Sequence, residues 1–243
     1  MTVDRTAPSV MSENARTIVI FGAGGTTGAA TVAMARDRGL TVRAVEHEWP
    51  LDAPDGEAVS HHSADVMDDD LAPLVDSADA VISAIGLSMS VRTVANPPPL
   101  YTKGTANIVQ AMQKTGVRRL AVISATFVED ADAGPLWFRV TAMPALANIY
   151  AQMARMEAEL ARAEGIDWTA ARPGWLLDRP YTGDYQVTDE KITHGLLRTR
   201  HADLADFLLR CVTEDLHIGE TPAIARRESE LDESPLALKN ELV

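Results

Sequence analysis

The stretch Thr17–Glu46, TIVIFGAGGTTGAATVAMARDRGLTVRAVE, decides the fold. Its opening, TIVIF, is an unbroken apolar run, the pattern of a strand buried on both faces. Glycines follow at once, and a helical pattern then runs over Thr27–Arg38, with Gly39 where a C-terminal glycine belongs. Thr41–Val45 returns to apolar, β-branched character and reads as a second strand. Strand, glycine turn, helix and strand in that order make a βαβ unit, whose strands pair in parallel through a right-handed crossover. Gly22, Gly24, Gly25 and Gly28 occupy the turn together with Thr26 and Thr27. Glycines there permit a tight turn and let the backbone N–H groups of a helix N-terminus approach a pyrophosphate.

Working outward, the alternation continues. Ala58–His62 reads as a third strand, Asp70–Asp76 as a short helix and Ala80–Ala84 as a fourth strand. Tyr101–Thr115 is a helix closed by Gly116, and Leu120–Ser124 a fifth strand. Ala147–Glu164 is a helix closed by Gly165, Asp167–Ala171 a sixth strand, and Ala202–Val212 a late amphipathic helix. The expected fold is therefore α/β: a doubly wound, mostly parallel sheet in a single Rossmann-like domain over residues 16–225. Residues 1–15 are polar and read as a flexible tail, and 226–243 as an acidic C-terminal tail. Between Phe127 and Asn148 no period stands out, so 127–148 is expected to be an irregular substrate lid.

Composition narrows the function. Of the 243 residues 46% are hydrophobic and 23% charged, enough to build a core and to exclude wholesale disorder. The net charge of −13 repels phosphate backbones and anionic lipid, so neither nucleic acid nor a membrane is expected as a partner. The lone cysteine, Cys211, lies in an apolar helical pattern and reads as a small buried hydrophobe. His61 and His62 are adjacent in a strand and point to opposite faces, and His194 and His201 are separated by a loop, so no metal is expected. No signal-peptide pattern and no long apolar run is present, which sets the expectation of a cytoplasmic protein acting on a small molecule, as monomer or homo-oligomer.

Ligands of open α/β sheets sit beyond the carboxyl ends of the strands, and the residues there form a consistent set. Glu46 stands 24 residues after Gly22, where an acidic side chain accepts hydrogen bonds from an adenosine ribose, and His47 follows it. Asp65 and Val66 can border an adenine, and Ser83, Ala84, Ile85 and Gly86 let the chain pass close to the second ribose. Ser124, at the end of strand five, is the first candidate for polarising an acceptor; Tyr150 is the second and Thr126 a neighbour. Trp137, Phe138 and Trp175 are candidate walls for the acceptor.

These residues carry a family likeness. The segments GAGGTTG, ADV, DAVISAIG, GTANIVQAMQKTGVRRLAVISATF, ARMEAELARAEGIDWTAARPG, YTGDYQV and RTRHADLADFLLRCVTED recur in this order between Thr17 and Ala225. The chain thereby resembles the atypical, NmrA-like short-chain dehydrogenase/reductases, nearest to the biliverdin-IXβ reductase/flavin reductase group. The resemblance implies an NAD(P)H-dependent reductase that passes hydride to a flat, conjugated acceptor such as a flavin, quinone or tetrapyrrole, and the expected function is reduction of a small conjugated or carbonyl acceptor. A non-catalytic redox sensor, or an epimerase or lyase with bound cofactor, stands as the alternative.

Departures from the family pattern are specific. Ordinary members pair a tyrosine with a lysine four residues on, which lowers the phenol pKa; here Tyr150 is followed by Ala154. Where the flavin reductase group has a serine after strand five this chain has Ala125, and where it has a histidine after strand six, Trp175. The acidic turn Glu46-His47-Glu48 favours NADH over NADPH, with Arg43, Arg36, Arg38 or a protonated His47 as the groups able to reverse that preference.

Overall fold

Six parallel strands stand in the order β3-β2-β1-β4-β5-β6. They are β1 (Thr17–Phe21), β2 (Thr41–Glu46), β3 (Val59–Ser63), β4 (Ala80–Ser83), β5 (Arg119–Ile123) and β6 (Asp167–Pro173). The structure is a computed structural model that describes residues 16–49, 56–88, 90–229 and 232; the expected tail 1–15 lies outside them. After β3 the chain returns across β1 to lay down β4, so the strand order reverses between β1 and β4. That reversal opens a crevice above the carboxyl ends of the two strands.

Alternating side chains explain the two layers. Ile18, Ile20, Ala44, Ile82 and Ala121 face one side of the sheet, covered by α1 (Thr26–Asp37) and α6 (His201–Thr213), the latter through Leu204, Phe207, Leu208 and Cys211. Val19, Phe21, Val81, Leu120 and Val122 face the other side, covered by α4 (Thr105–Thr115) and α5 (Leu136–Leu160). Short α2 (Ala72–Val75) and α3 (Val91–Ala95) complete the connections on either side of β4. Cys211 is fully buried, as its helical pattern implies.

One expectation is corrected here, and one feature is new. The segment 127–148 is not an irregular lid: after a 3-10 turn at Thr126–Val128, α5 begins at Leu136, eleven residues before the expected start at Ala147, and continues through Pro144. Phe138, Leu146, Ile149, Met153 and Met156 bury one face of this helix against the sheet. Beyond β6, among the described residues, lie four strands that the sequence pattern does not announce: β7 (Trp175–Leu177), β8 (Gln186–Thr188), β9 (Arg198–Arg200) and β10 (Ala223–Ala225). β10 extends the main sheet in parallel beside β6, β8 adds antiparallel to β10, and β7 and β9 form a separate parallel pair.

The segment from residue 226, expected as a tail, is at its start tied to the body. Arg226 N–H donates to the Arg198 carbonyl at 2.7 Å, and the Glu228 carboxylate accepts from Arg200 at 2.6 and 2.7 Å. The rest of 230–243, Asp232 excepted, lies outside the described residues. Among the described residues no helix is long and apolar enough to cross a membrane.

Candidate dinucleotide and acceptor cleft

The glycine turn is built by close backbone approach. Gly22 has φ +74°, and a Cβ on it would lie 2.6 Å from the Ala84 carbonyl oxygen; on Gly28 it would lie 2.0 Å from the Gly22 carbonyl oxygen. Any larger residue at either position drives α1 or the β4 end away. Gly25 is the N-cap of α1 and supplies no side-chain cap, so first-turn N–H groups face the cleft, as anion binding requires. Ala23 N–H donates to the Val45 carbonyl at 3.1 Å, and Glu46 Oε2 accepts from Gly24 N–H at 2.9 Å. The turn is thus fastened to the end of β2. On its other side Thr27 Oγ1 and His201 Nδ1 meet at 2.6 Å, joining it to the first residue of α6.

A cleft of about 1440 Å³ runs over this turn, larger than the ~300–1,000 Å³ of a site for one drug-sized molecule. At one end it is lined by Glu46, His47, Trp49, Asp65 and Val66. His47 Nδ1 lies 3.8 Å from Asp65 Oδ2, while Asp65 Oδ1 accepts from Met67 N–H at 2.8 Å. The arginines able to bring positive charge here are engaged elsewhere. Arg43 donates to the carbonyls of Leu74 and Asp76, Arg36 pairs with Asp37, and Arg38 pairs with Asp206.

At mid-cleft the expected Gly22, Gly24, Gly25, Thr26, Thr27, Ala84, Ile85 and Gly86 all line the wall. Gly28 and Ser83 do not: Gly28 is spent on helix–strand packing, and Ser83 is paired within the sheet to β1 and β5.

The inner end is aromatic. Phe127, Phe138, Tyr150 and Trp175 line it, with ring centroids 5.0 Å apart for Phe127–Phe138, 5.6 Å for Phe127–Tyr150 and 4.5 Å for Phe138–Trp175. Trp137 and Thr126, expected here, are not on the wall. Trp137 packs behind Trp175 at 6.0 Å, and Thr126 is fully buried with its Oγ1 unbonded among the described residues. Burial, and secondarily the nearby Tyr101, push the Tyr150 phenol well above its usual range, so it holds its proton at neutral pH.

Ser124 lines the floor, but not as the expected carbonyl-polarising donor. Its hydroxyl donates to Glu157 Oε1 at 2.6 Å, so its hydrogen is committed to the protein interior. Glu157, in turn, accepts from Arg172 Nε at 3.0 Å and Nη2 at 2.8 Å. Sequence reasoning missed this pair, Tyr101 and His201. A signal existed for the pair: Glu157 adjoins the apolar stripe of Ile149, Met153, Met156 and Leu160, and Arg172 interrupts a buried strand. Two opposite charges inside buried patterns call for each other.

The crevice at a strand-order reversal, with glycine turn, uncapped helix N-terminus and acidic residue at the end of the second strand, defines a dinucleotide-binding fold. The chain belongs to the NAD(P)H-binding family, whose model matches residues 22–215. It is 28% identical over 191 residues to an uncharacterised chloroplastic protein of Arabidopsis thaliana, covering 74% of this chain and 67% of that one. Among solved structures it is similar to the oxidoreductase YlbE of Lactococcus lactis, with TM-score 0.71 and 21% identity over 93% of this chain and 96% of that one. A Streptococcus pneumoniae protein proposed as an NADH-flavin reductase superposes with TM-score 0.69 and 21% identity, over 87% of this chain and all of the other.

Proposed function

We propose that the protein is an NAD(P)H-dependent reductase that passes hydride to a small, flat, conjugated acceptor, with NADH at least as good a donor as NADPH. The observation that carries the reading is the continuity of one cleft from the glycine turn to the aromatic end. The residues fit a dinucleotide: the uncapped α1 N-terminus suits the pyrophosphate, Glu46 the adenosine ribose hydroxyls, and Asp65 and Val66 the adenine. Glu46 disfavours a 2′-phosphate, and the engagement of Arg36, Arg38 and Arg43 elsewhere supports that preference. When bound, the dinucleotide supplies the hydride.

The chain's own contribution is mainly positioning. Phe127, Phe138 and Trp175 make this end of the cleft apolar and aromatic, which supports a flat, conjugated acceptor of flavin-, quinone- or tetrapyrrole-like class. Tyr150 keeps its proton, so it serves as a hydrogen-bond donor to an acceptor oxygen and not as a phenolate base. Water completes the product's protonation. Steady-state oxidation of NADH and of NADPH against a panel of flavin, quinone, tetrapyrrole and carbonyl acceptors tests the proposal. Turnover of at least one acceptor is expected; tight dinucleotide binding with no turnover across the panel favours a redox sensor instead.

A further inference from the structure

We infer that Ser124 is a hydrogen-bond acceptor toward the bound dinucleotide, fixed in that role by Glu157, and that it reads the N–H side of the nicotinamide carboxamide. The inference rests on the dinucleotide reading of the cleft. Its basis is the direction of one hydrogen bond. Glu157 is 7% exposed, and its carboxylate is gripped by two nitrogens of Arg172, at 3.0 and 2.8 Å. Each of its two oxygens accepts a guanidinium N–H, so the group stands here as a hydrogen-bond acceptor. The 2.6 Å contact between Ser124 Oγ and Glu157 Oε1 therefore uses the serine's single proton. The backbone N–H of Ser124 is also committed, to the Ala171 carbonyl at 2.7 Å. Ser124 lines the cleft floor while only 2% exposed, and what its hydroxyl has left to offer a group that reaches it there is the lone pairs of Oγ.

That polarity selects a partner. The oxygen of an acceptor's carbonyl meets only repulsion at a lone pair, whereas an N–H or O–H is bound. Ser124 immediately follows β5, beside β4, on the side of the strand-order reversal away from Glu46 and the adenosine end. A dinucleotide whose pyrophosphate sits at the α1 N-terminus extends its nicotinamide half to that side. The carboxamide of that half carries both an N–H and a carbonyl; Ser124 accepts the first and rejects the second. Glu157 is the positioning residue, and Arg172, paired with it at 2.8 Å, holds its carboxylate in place. A buried ion pair is weak evidence for stability in its own right, so its alignment on a cleft hydroxyl points to orientation.

The test is a cycle between protein and ligand, read by calorimetry. Wild type, Ser124→Ala and Glu157→Gln are each titrated with NADH and with the reduced 3-acetylpyridine analogue, in which a methyl replaces the carboxamide NH₂. Removing one net hydrogen bond is expected to make the wild-type preference for NADH about fivefold to tenfold larger than that of Ser124→Ala. In Glu157→Gln the neutral amide no longer dictates the serine's polarity, and the preference falls in the same direction. If Glu157→Gln does not fold, as thermal melting will show, Ser124→Ala decides the question. An identical preference in wild type and Ser124→Ala overturns the assignment while leaving the dinucleotide site intact. Failure of wild type to bind either dinucleotide overturns the cleft reading and this inference together.

Discussion

Two glycines of the same turn separate folding from binding. In Gly28→Ala the new Cβ falls 2.0 Å from the Gly22 carbonyl oxygen and 2.8 Å from Ala23 Cα, both backbone atoms. Ordinary contact begins near ~3.4 Å, so α1 has to retreat by about 1.4 Å where it rests on the end of β1. Overpacking of that kind costs about 1–3 kcal/mol, and the gain from alanine's helix propensity offsets up to about 1 kcal/mol. A net loss near 2 kcal/mol lowers the melting temperature by roughly 4–8 °C in a chain of this size. Gly25→Ala differs in kind. Its Cβ meets only the Gly22 carbonyl oxygen, at 3.5 Å, and Gly25 has φ −72°, open to any residue. Stability therefore stays within about 0.5 kcal/mol of wild type or rises slightly. The added methyl stands at the uncapped α1 N-terminus, where phosphate must approach backbone, so NADH affinity falls by about tenfold or more. Calorimetric melting and NADH titration on both variants check the pair. A Gly28→Ala protein as stable as wild type refutes the packing argument. A Gly25→Ala protein with unchanged NADH affinity refutes the phosphate site.

Three further outcomes are expected. Glu46→Arg should turn the cofactor preference toward NADPH by about tenfold, measured as two dissociation constants at one ionic strength; an unmoved ratio places the adenosine ribose elsewhere. Asp203→Ala should cost about 3 kcal/mol in urea unfolding, because fully buried Asp203 accepts from Thr182 N–H and Oγ1, each at 2.8 Å, and from Gly183 N–H at 3.0 Å; a loss under about 0.5 kcal/mol removes its anchoring role. Burial pushes the Cys211 thiol up to about 12. The protonated thiol therefore adds stability that is complete below the unfolded value of ~8.5 and lost as pH rises through the folded one. Ellman's reagent should label it only in denaturant, and rapid labelling of the native chain at pH 8 contradicts this.

Much of the architecture was legible because the informative segments were long or punctuated by glycine. β1, the turn and α1 stand in TIVIF, GAGGTTG and the helix ending before Gly39, and Glu46 with the residues after β3 line one end of the cleft. Where the reading went wrong, local chemistry explains it. Pro144 inside α5 and Gly134-Pro135 before it look like a broken loop, yet the burial of Phe138 and Leu146 holds the helix together. β7 to β10 are three residues each, too short to show a period, and β9 reads Arg-Thr-Arg. Their pairing is set by strands distant in the chain, as when Ile224 lies beside Pro173 and Val187. The polarity of Ser124 was beyond sequence reading, since it depends on Glu157 and Arg172 arriving from two other elements.

The placement of α6 has a consequence for how the protein emerges from the ribosome. Residues 17–28 leave the exit tunnel long before α6 and can form the first strand and its turn by local pairing. The layer that buries Ile82 and Ala121 is supplied in part by Leu204, Phe207 and Leu208, more than eighty residues beyond β5. His201, which meets Thr27 at the cleft, arrives with them. Until that late segment is synthesised the nascent chain carries an uncovered apolar sheet face and a cleft lacking one wall, the state in which α/β chains are most prone to association and in greatest need of chaperone shielding. Competence to hold a ligand thus waits for that segment, and fragments truncated before residue 201 should be recovered as aggregates and not as miniature nucleotide binders.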